Sequence, residues 1–388
     1  LERAVGRLTH RHPNPATGEA HYFLGLTLRW LGERDAAYAA LYKATWNYEW
    51  RAAGYYQLAT IDGHRVDWKT ALEHLEGALD TNRRNNKAIV LKALVLRALG
   101  RVDEAEAELA SLRKVDRLDH WAGWVTVLLG GDREEFLRVT RNDAQTMIDL
   151  ALDFCESGFF REAADLLACH LENEVVGVAV PNPLERSQSV RYLLGWLKTH
   201  LGDSDATAMM DAARSQSPDH FFPSRLEEMG VLDWALRQVD DDDPVAAYGL
   251  GNLLYDKKRH QDAIEAWEVA EESEIPQVSR NLGIARWNVH RDGEAARRSY
   301  LQALTLGIPD ARLVAEYEQL SEKLGDPLEQ RLAFLETRLE LVAERDDATV
   351  ALVRLYNLLG RPAEALELVC SRRFHPWEGG EGKVLGEY

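Results

Sequence analysis

Three related phrases decide the fold of this 388-residue chain: Leu31-Gly-Glu-Arg-Asp-Ala-Ala37, Arg65-Val-Asp-Trp-Lys-Thr-Ala71 and Leu99-Gly-Arg-Val-Asp-Glu-Ala105. Each phrase follows an apolar helical run and ends in an alanine, and these three alanines are 34 residues apart. A fixed period of about 34 residues is typical of stacked helix pairs. The spacing therefore predicts an array of helix–turn–helix repeats.

The same pattern returns toward the end of the chain. Leu250-Gly251 is followed by Ala263, and Leu282-Gly283 is followed by Ala296, so that these two alanines lie 33 residues apart. Small residues at such positions allow two helices to pack closely. We expect four of the alanines to be buried at helix–helix contacts: Ala37, Ala71, Ala263 and Ala296.

The repeats are less regular in the middle of the chain. Residues 119–143 are too short for a full repeat, and residues 310–346 keep a helix pair without the alanines. The β-branched residues and two prolines of 173–183 predict an extended loop, and the four aspartates before Pro244 predict a second break and a helix start. We therefore expect three regions: N-terminal repeats in 1–172, a degenerate region in 173–243 and C-terminal repeats in 244–388.

The first repeat resembles the tetratricopeptide repeat (TPR) family. Leu24-Gly25 stands on the first helix, and Ala37, Leu41 and Ala44 follow on the second, in the order of that family's pattern. The resemblance extends over nearly the whole chain. It implies an all-α fold, a right-handed TPR-type helical-repeat solenoid in which antiparallel helix pairs form a superhelix.

A second resemblance rests on Arg372–Gly382, which contains two aromatic residues, a histidine, a proline and three glycines. The segment is similar to one in bacterial, mainly actinobacterial, TPR proteins that carry a β-sandwich domain resembling sugar mutarotases ahead of their repeats. This resemblance implies a carbohydrate-associated domain outside these 388 residues and no catalytic residue within them. Since the chain starts without Met and stops in a helix-like stretch, we expect it to be a fragment of a longer protein.

The composition restricts the partners of the chain. A net charge of −18 and a pI of about 5.2 argue against nucleic acid, which requires a basic surface. No apolar run approaches the length of about 18 residues that suggests a membrane span. Three cysteines without a Cys-x-x-Cys spacing do not form a disulfide framework, which fits a reducing cytoplasm.

No sequence pattern indicates catalysis. The glycine-rich stretch Gly379–Lys383 is followed by Val384 instead of the Ser or Thr of a phosphate-binding loop, and no strand precedes it. His10 and His12 lack a third metal ligand at a suitable spacing. We therefore predict no catalytic residue, cofactor or metal ion in this chain, and we expect it not to be an enzyme, whatever the longer protein does.

Aromatic residues are dense in the first two repeats, where first helices would line a concave face. Aromatic and arginine side chains on such a face are typical anchors for a bound peptide. The candidate groove residues are Tyr22, Arg29, Tyr55 and Tyr56. We expect a non-catalytic scaffold whose concave face binds a protein segment or a companion domain of the same polypeptide. The alternative is the helical portion of a carbohydrate-active enzyme, in which the repeats help to shape a glycan site.

Overall fold

The computed structural model describes residues 1–5, 14–173, 187–219, 221–238, 243–307, 310–375 and 380–388, and these residues form helices and turns without a β-strand. The helices are α1 (Glu19–Trp30), α2 (Arg34–Ala44), α3 (Tyr48–His64), α4 (Trp68–Thr81), α5 (Asn86–Ala98), α6 (Val102–Val115), α7 (His120–Leu128), α8 (Arg133–Thr140), α9 (Ala144–Glu156), α10 (Phe160–Glu172), α11 (Ser187–Leu201), α12 (Ala206–Arg214), α13 (Leu226–Leu236), α14 (Pro244–Asp256), α15 (His260–Val269), α16 (Pro276–Ala285), α17 (Gly293–Leu306), α18 (Ala311–Leu324), α19 (Leu328–Glu336), α20 (Leu339–Glu344), α21 (Asp346–Leu358), α22 (Pro362–Ser371) and α23 (Gly380–Glu387). The predicted all-α helical-repeat fold is confirmed.

Short polar and glycine residues set the helix boundaries. The Asp243 carboxylate accepts a hydrogen bond from the backbone N–H of Ala246 at 3.0 Å, so the helix start predicted before Pro244 is confirmed. First helices of several pairs end at a glycine with a left-handed backbone, as at Gly32 (φ +80°) and Gly100 (φ +76°). These turns return the chain so that the second helix packs beside the first.

The described residues form two compact units, Leu1–Ser215 and Gln216–Tyr388. In the first unit, consecutive helices pack as pairs from α1–α2 to α11–α12. A Cβ atom added at Gly25 would lie 2.5 Å from Cγ of Leu41, so only glycine allows α1 and α2 to approach this closely. Ala37 and Ala71 are fully buried, which confirms the burial predicted for them.

The second unit repeats this packing in α14–α15, α16–α17 and α21–α22. Ala263 and Ala296 are fully buried, again as predicted from their spacing. A π-helical turn, Arg286–His290, extends the end of α16. The repeat predicted as atypical, 310–346, has its second helix divided into α19 and α20. The regularity of the repeats predicts the regions 1–172, 173–243 and 244–388. They stay a prediction, because the two compact units are defined by spatial contacts and not by repeat regularity.

Candidate functional site

The structure separates the four residues predicted to line a groove. Tyr22 and Arg29 on α1 and Tyr56 on α3 lie around Glu156, the last residue of α9. The Tyr55 ring turns toward α4 instead, where it stacks on the His74 ring at a centroid distance of 5.5 Å. Tyr56 is only 8% exposed, so the expectation that these residues project from the surface is wrong for Tyr56. Its ring is buried because α3 is covered on this side by the end of α9.

Arg29 holds the end of α9 through a hydrogen-bonded cluster. Its Nη1 donates to a Glu156 carboxylate oxygen at 2.9 Å and to Gln57 Oε1 at 2.5 Å, and its Nη2 donates to the Glu156 backbone carbonyl at 2.7 Å. The Arg29 side chain is 17% exposed. Its donors are thus directed at groups of the same chain, and an external ligand would have to displace Glu156 to reach them.

Close backbone packing supports the same contact. Gly158 begins the turn between α9 and α10 with φ +82°, and a Cβ atom added there would lie 2.9 Å from backbone atoms of Gly63 and His64. The Trp68 and Phe159 rings stack beside it at 5.0 Å. We call this surface the internal contact, defined by Arg29, Gln57, Gly63, Glu156 and Gly158. Here the chain itself engages Arg29 and buries Tyr56, whereas Tyr22 and Tyr55 are partly exposed and stay predicted groove residues.

Burial in the internal contact shifts two ionisable groups toward their neutral forms. Burial, followed by the positive charges of Arg34 and Arg29, lowers the pKa of His64 to about 4. Burial and then the carboxylates of Glu156 and Asp153 raise the pKa of Tyr56. Within the part of the chain that the structure describes, the Tyr56 hydroxyl has no hydrogen-bond partner. The His64 imidazole and the Tyr56 phenol are therefore neutral at pH 7 and can be buried near the Arg29–Glu156 ion pair, as expected for a packing contact between helices.

An open groove lies elsewhere in the first unit, between α6 and α8, with α7 as its floor. It has a volume of about 650 Å³. The apolar part of its lining is Ala110, Leu118, Gly123, Val127, Phe136 and Val139. Leu118 is 70% exposed and Val139 is 37% exposed, so apolar surface remains in contact with water. We call this surface the α6–α8 groove.

Local sequence explains why the α6–α8 groove is open. α7 has 9 residues and α8 has 8, whereas α6 has 14, so the short pair cannot cover the full length of the helix before it. The alanines that bring second helices together in regular repeats are also missing from this stretch. The sequence signal of this groove is therefore the short repeat at 119–143, which predicts an irregularity of the array but not a binding site.

Around the α6–α8 groove, carboxylates have hydrogen-bond or ion-pair partners within the described part of the protein, whereas several cations do not. Asp119 and Asp132 cap the N-termini of α7 and α8 by accepting backbone N–H groups at 2.9–3.1 Å, and Glu135 pairs with Arg138 at 2.6 Å. By contrast, three cations on the α6 side are exposed and form no hydrogen bond or ion pair among the described residues: Arg113, Lys114 and Arg117. The unpartnered charge of this groove is therefore positive.

A smaller groove of about 280 Å³ lies in the second unit, where Trp287 of the π-helical turn faces Tyr300 and Glu316. Its carboxylate is already engaged, because Glu316 accepts hydrogen bonds from Arg280 at 2.5 and 2.8 Å and from Arg312 at 2.9 Å. With its central charge neutralised internally, this groove is a weaker candidate than the α6–α8 groove.

The remaining sequence features form no chemical site within the described residues. The described residues contain no group of three His, Cys, Asp or Glu side chains placed to hold a metal ion. His10 and His12, most of the predicted loop 173–183 and part of Gly379–Lys383 lie outside the described residues. No helix in the described ranges has the length and apolar character needed to cross a membrane.

Two stretches of the chain match models of the tetratricopeptide repeat. The first covers residues 66–123, from the start of α4 into α7, and the second covers residues 230–278. These matches agree with the helix pairs of both units. Neither match concerns the resemblance to proteins with a mutarotase-like domain, which stays a hypothesis.

Solved structures with similar chains are distant. PilF from Pseudomonas aeruginosa is 16% identical, with 63% of this chain and 97% of PilF covered and a TM-score of 0.37. Yeast Tom70 is 14% identical, with 95% and 94% covered and a TM-score of 0.28. YrrB, a TPR protein with an unusual peptide-binding site, is 14% identical, with 62% and 96% covered and a TM-score of 0.22. At these values the likeness carries no argument about function.

Proposed function

We propose that this protein is a non-catalytic scaffold that binds a protein segment, and that the segment binds in the α6–α8 groove. The observation that supports this proposal is exposed apolar surface in a groove of about 650 Å³, beside cations without internal partners. Grooves of ~300–1,000 Å³ with an apolar lining and a few polar groups are typical binding sites. The groove therefore offers both contact area and a means of orienting a partner.

The internal contact is a poorer candidate for the binding surface. Arg29 and Gln57 are occupied by Glu156, and Tyr56 is buried beneath it. Binding there would require the separation of α9 from α3 and the loss of hydrogen bonds to charged groups, each worth about 1.5–3 kcal/mol. The α6–α8 groove needs no such rearrangement, because Ala110, Leu118 and Val139 in its lining are already exposed.

Peptide selection tests the proposal. A displayed random peptide library is selected on the whole protein, and the enriched peptides are measured against Ala110→Trp, which fills the groove from α6. The matched control is Ala39→Trp, which places the same side chain at another exposed helical alanine, on α2. We expect the peptides to bind the wild type and the Ala39 variant equally, and to bind the Ala110 variant at least tenfold more weakly.

Two results would overturn the proposal. Enriched peptides that bind Ala110→Trp as tightly as the wild type would place binding outside the α6–α8 groove. A selection that enriches no peptide above a library passed over an unrelated helical protein would argue against a peptide-binding scaffold. Circular dichroism spectra of both variants establish that the two tryptophans leave the helices intact.

A further inference from the structure

The walls of the α6–α8 groove limit the form that a partner can take. Extended peptides commonly bind by adding a strand to an exposed sheet edge, which supplies unpaired backbone groups. Here α6, α7 and α8 form the walls and floor, and a helix interior has no unpaired backbone groups to offer. A groove between helices instead fits the apolar face of another helix, whose own backbone is already hydrogen-bonded.

The length of the groove also fits a helix. A smaller groove of about 300 Å³ adjoins it and shares Ala110, Arg113 and Thr126 with it, so that the lined part of α6 begins at Glu106. From Glu106 to Lys114, α6 rises about 12 Å at 1.5 Å per residue. A partner helix of two to three turns lying along α6 would cover this stretch with residues spaced at i, i+4 and i+7.

The charges of the groove specify the partner further. Some lysine and arginine side chains on neighbouring helices have internal partners, such as Lys92 with Glu108 at 2.6 Å and Arg97 with Glu162 at 2.8 Å. Arg113, Lys114 and Arg117 pair with no described carboxylate, and all three line the same groove in a chain with a net charge of −18. Positive charge that is left free beside an apolar groove is complementary to acidic side chains.

We propose that the partner of the α6–α8 groove is an acidic amphipathic helix, whose apolar stripe covers Ala110, Val127 and Val139 and whose carboxylates pair with Arg113 and Arg117. This inference rests on the proposed function and specifies its ligand. Glu106 lies at the opposite end of the groove from Arg117. The acidic side chains of the partner therefore lie toward the C-terminal end of α6.

Three synthetic peptides of equal length test the inference by fluorescence anisotropy with the whole protein. The first carries leucines at i, i+4 and i+7 with flanking glutamates, the second replaces the glutamates with lysines, and the third scrambles the first so that the leucine stripe is lost. We expect the glutamate peptide to bind at least tenfold more tightly than either of the others. Raising the salt concentration should reduce this preference, because the cations are exposed.

A charge reversal with a matched control assigns the preference to the groove. Arg113→Glu with Arg117→Glu should weaken binding of the glutamate peptide at least tenfold and strengthen binding of the lysine peptide. Arg83→Glu with Arg84→Glu changes the net charge equally at two exposed arginines between α4 and α5, and it should leave both affinities within twofold.

The outcomes distinguish this inference from the proposed function. Equal affinity for the glutamate and lysine peptides, lost from both in Ala110→Trp, would overturn the acidic partner while the groove remains a binding site. Equal affinity for the glutamate peptide and its scrambled form would show simple charge attraction and overturn the amphipathic helix. Failure of all three peptides to bind would also overturn this inference, whereas the proposed function would still be decided by the library selection.

Discussion

The internal contact and the α6–α8 groove lie in the same unit and differ in what covers them. In the internal contact, Arg29 reaches Glu156, which is far away in sequence, and first helices of regular repeats are covered by the chain itself. In the groove, a shortened helix pair leaves Leu118 and Val139 exposed beside the cations Arg113 and Arg117. The comparison indicates that, in the first unit, the regular repeats of the internal contact provide a packing surface, whereas the irregular repeat provides an open one.

The largest loss of stability is expected from a substitution at Gly158, where the two parts of the internal contact approach each other most closely. Gly158→Ala should lower the free energy of unfolding by roughly 1–2 kcal/mol for the left-handed backbone, and by about 1–3 kcal/mol more for forcing a Cβ against Gly63. Gly100→Ala is the matched control, since its φ is +76° but no atom lies within 4 Å of the added Cβ. Chemical denaturation curves measure both losses. Equal losses for the two variants would mean that α3 and the α9–α10 turn do not pack closely.

A smaller effect is expected from the ion pair in the same contact. The Arg29 guanidinium is mostly shielded from water and donates to Glu156 and Gln57. Arg29→Ala removes these hydrogen bonds and should lower the free energy of unfolding by about 1.5–3 kcal/mol. Arg138→Ala removes an exposed pair with Glu135 and should cost about 0–1 kcal/mol. The same denaturation measurement compares them. A loss for Arg29→Ala no larger than that for Arg138→Ala would contradict the view that the Arg29 hydrogen bonds stabilise the internal contact.

Much of the fold could be predicted from the sequence because its determinants are local. Spacings of 33 and 34 residues correctly placed Ala37, Ala71, Ala263 and Ala296 in the core. Helix starts and turns follow from single residues, as with Asp243 and its cap. Buried alanines and helix caps depend on residues within one repeat, so that the repeated sequence pattern is sufficient to predict them.

The candidate site was harder to predict because it depends on contacts between distant repeats. The positions of Arg29 and Tyr56 on their own helices predict side chains that can contact a ligand. No local sequence pattern predicts the contact with Glu156, which lies in a distant repeat. The α6–α8 groove did have a signal, the short repeat at 119–143, but its openness depends on how far α8 reaches along α6. A shortened repeat can either collapse onto its neighbour or leave a gap, and only packing decides between the two.

The smallest expected effect on stability belongs to the groove. Arg113→Glu with Arg117→Glu should lower the free energy of unfolding by no more than about 1 kcal/mol, because both side chains are exposed without a partner among the described residues and only Arg113, in the last turn of α6, interacts with the helix dipole. Lys92→Glu, on α5, removes the ammonium of a half-buried pair with Glu108 on α6 and should cost about 1.5–3 kcal/mol. If the double groove variant proves as destabilising as Lys92→Glu, the groove cations support the fold instead of a partner. If it is neutral, any loss of peptide binding in that variant reports the groove directly, because the folded population is unchanged.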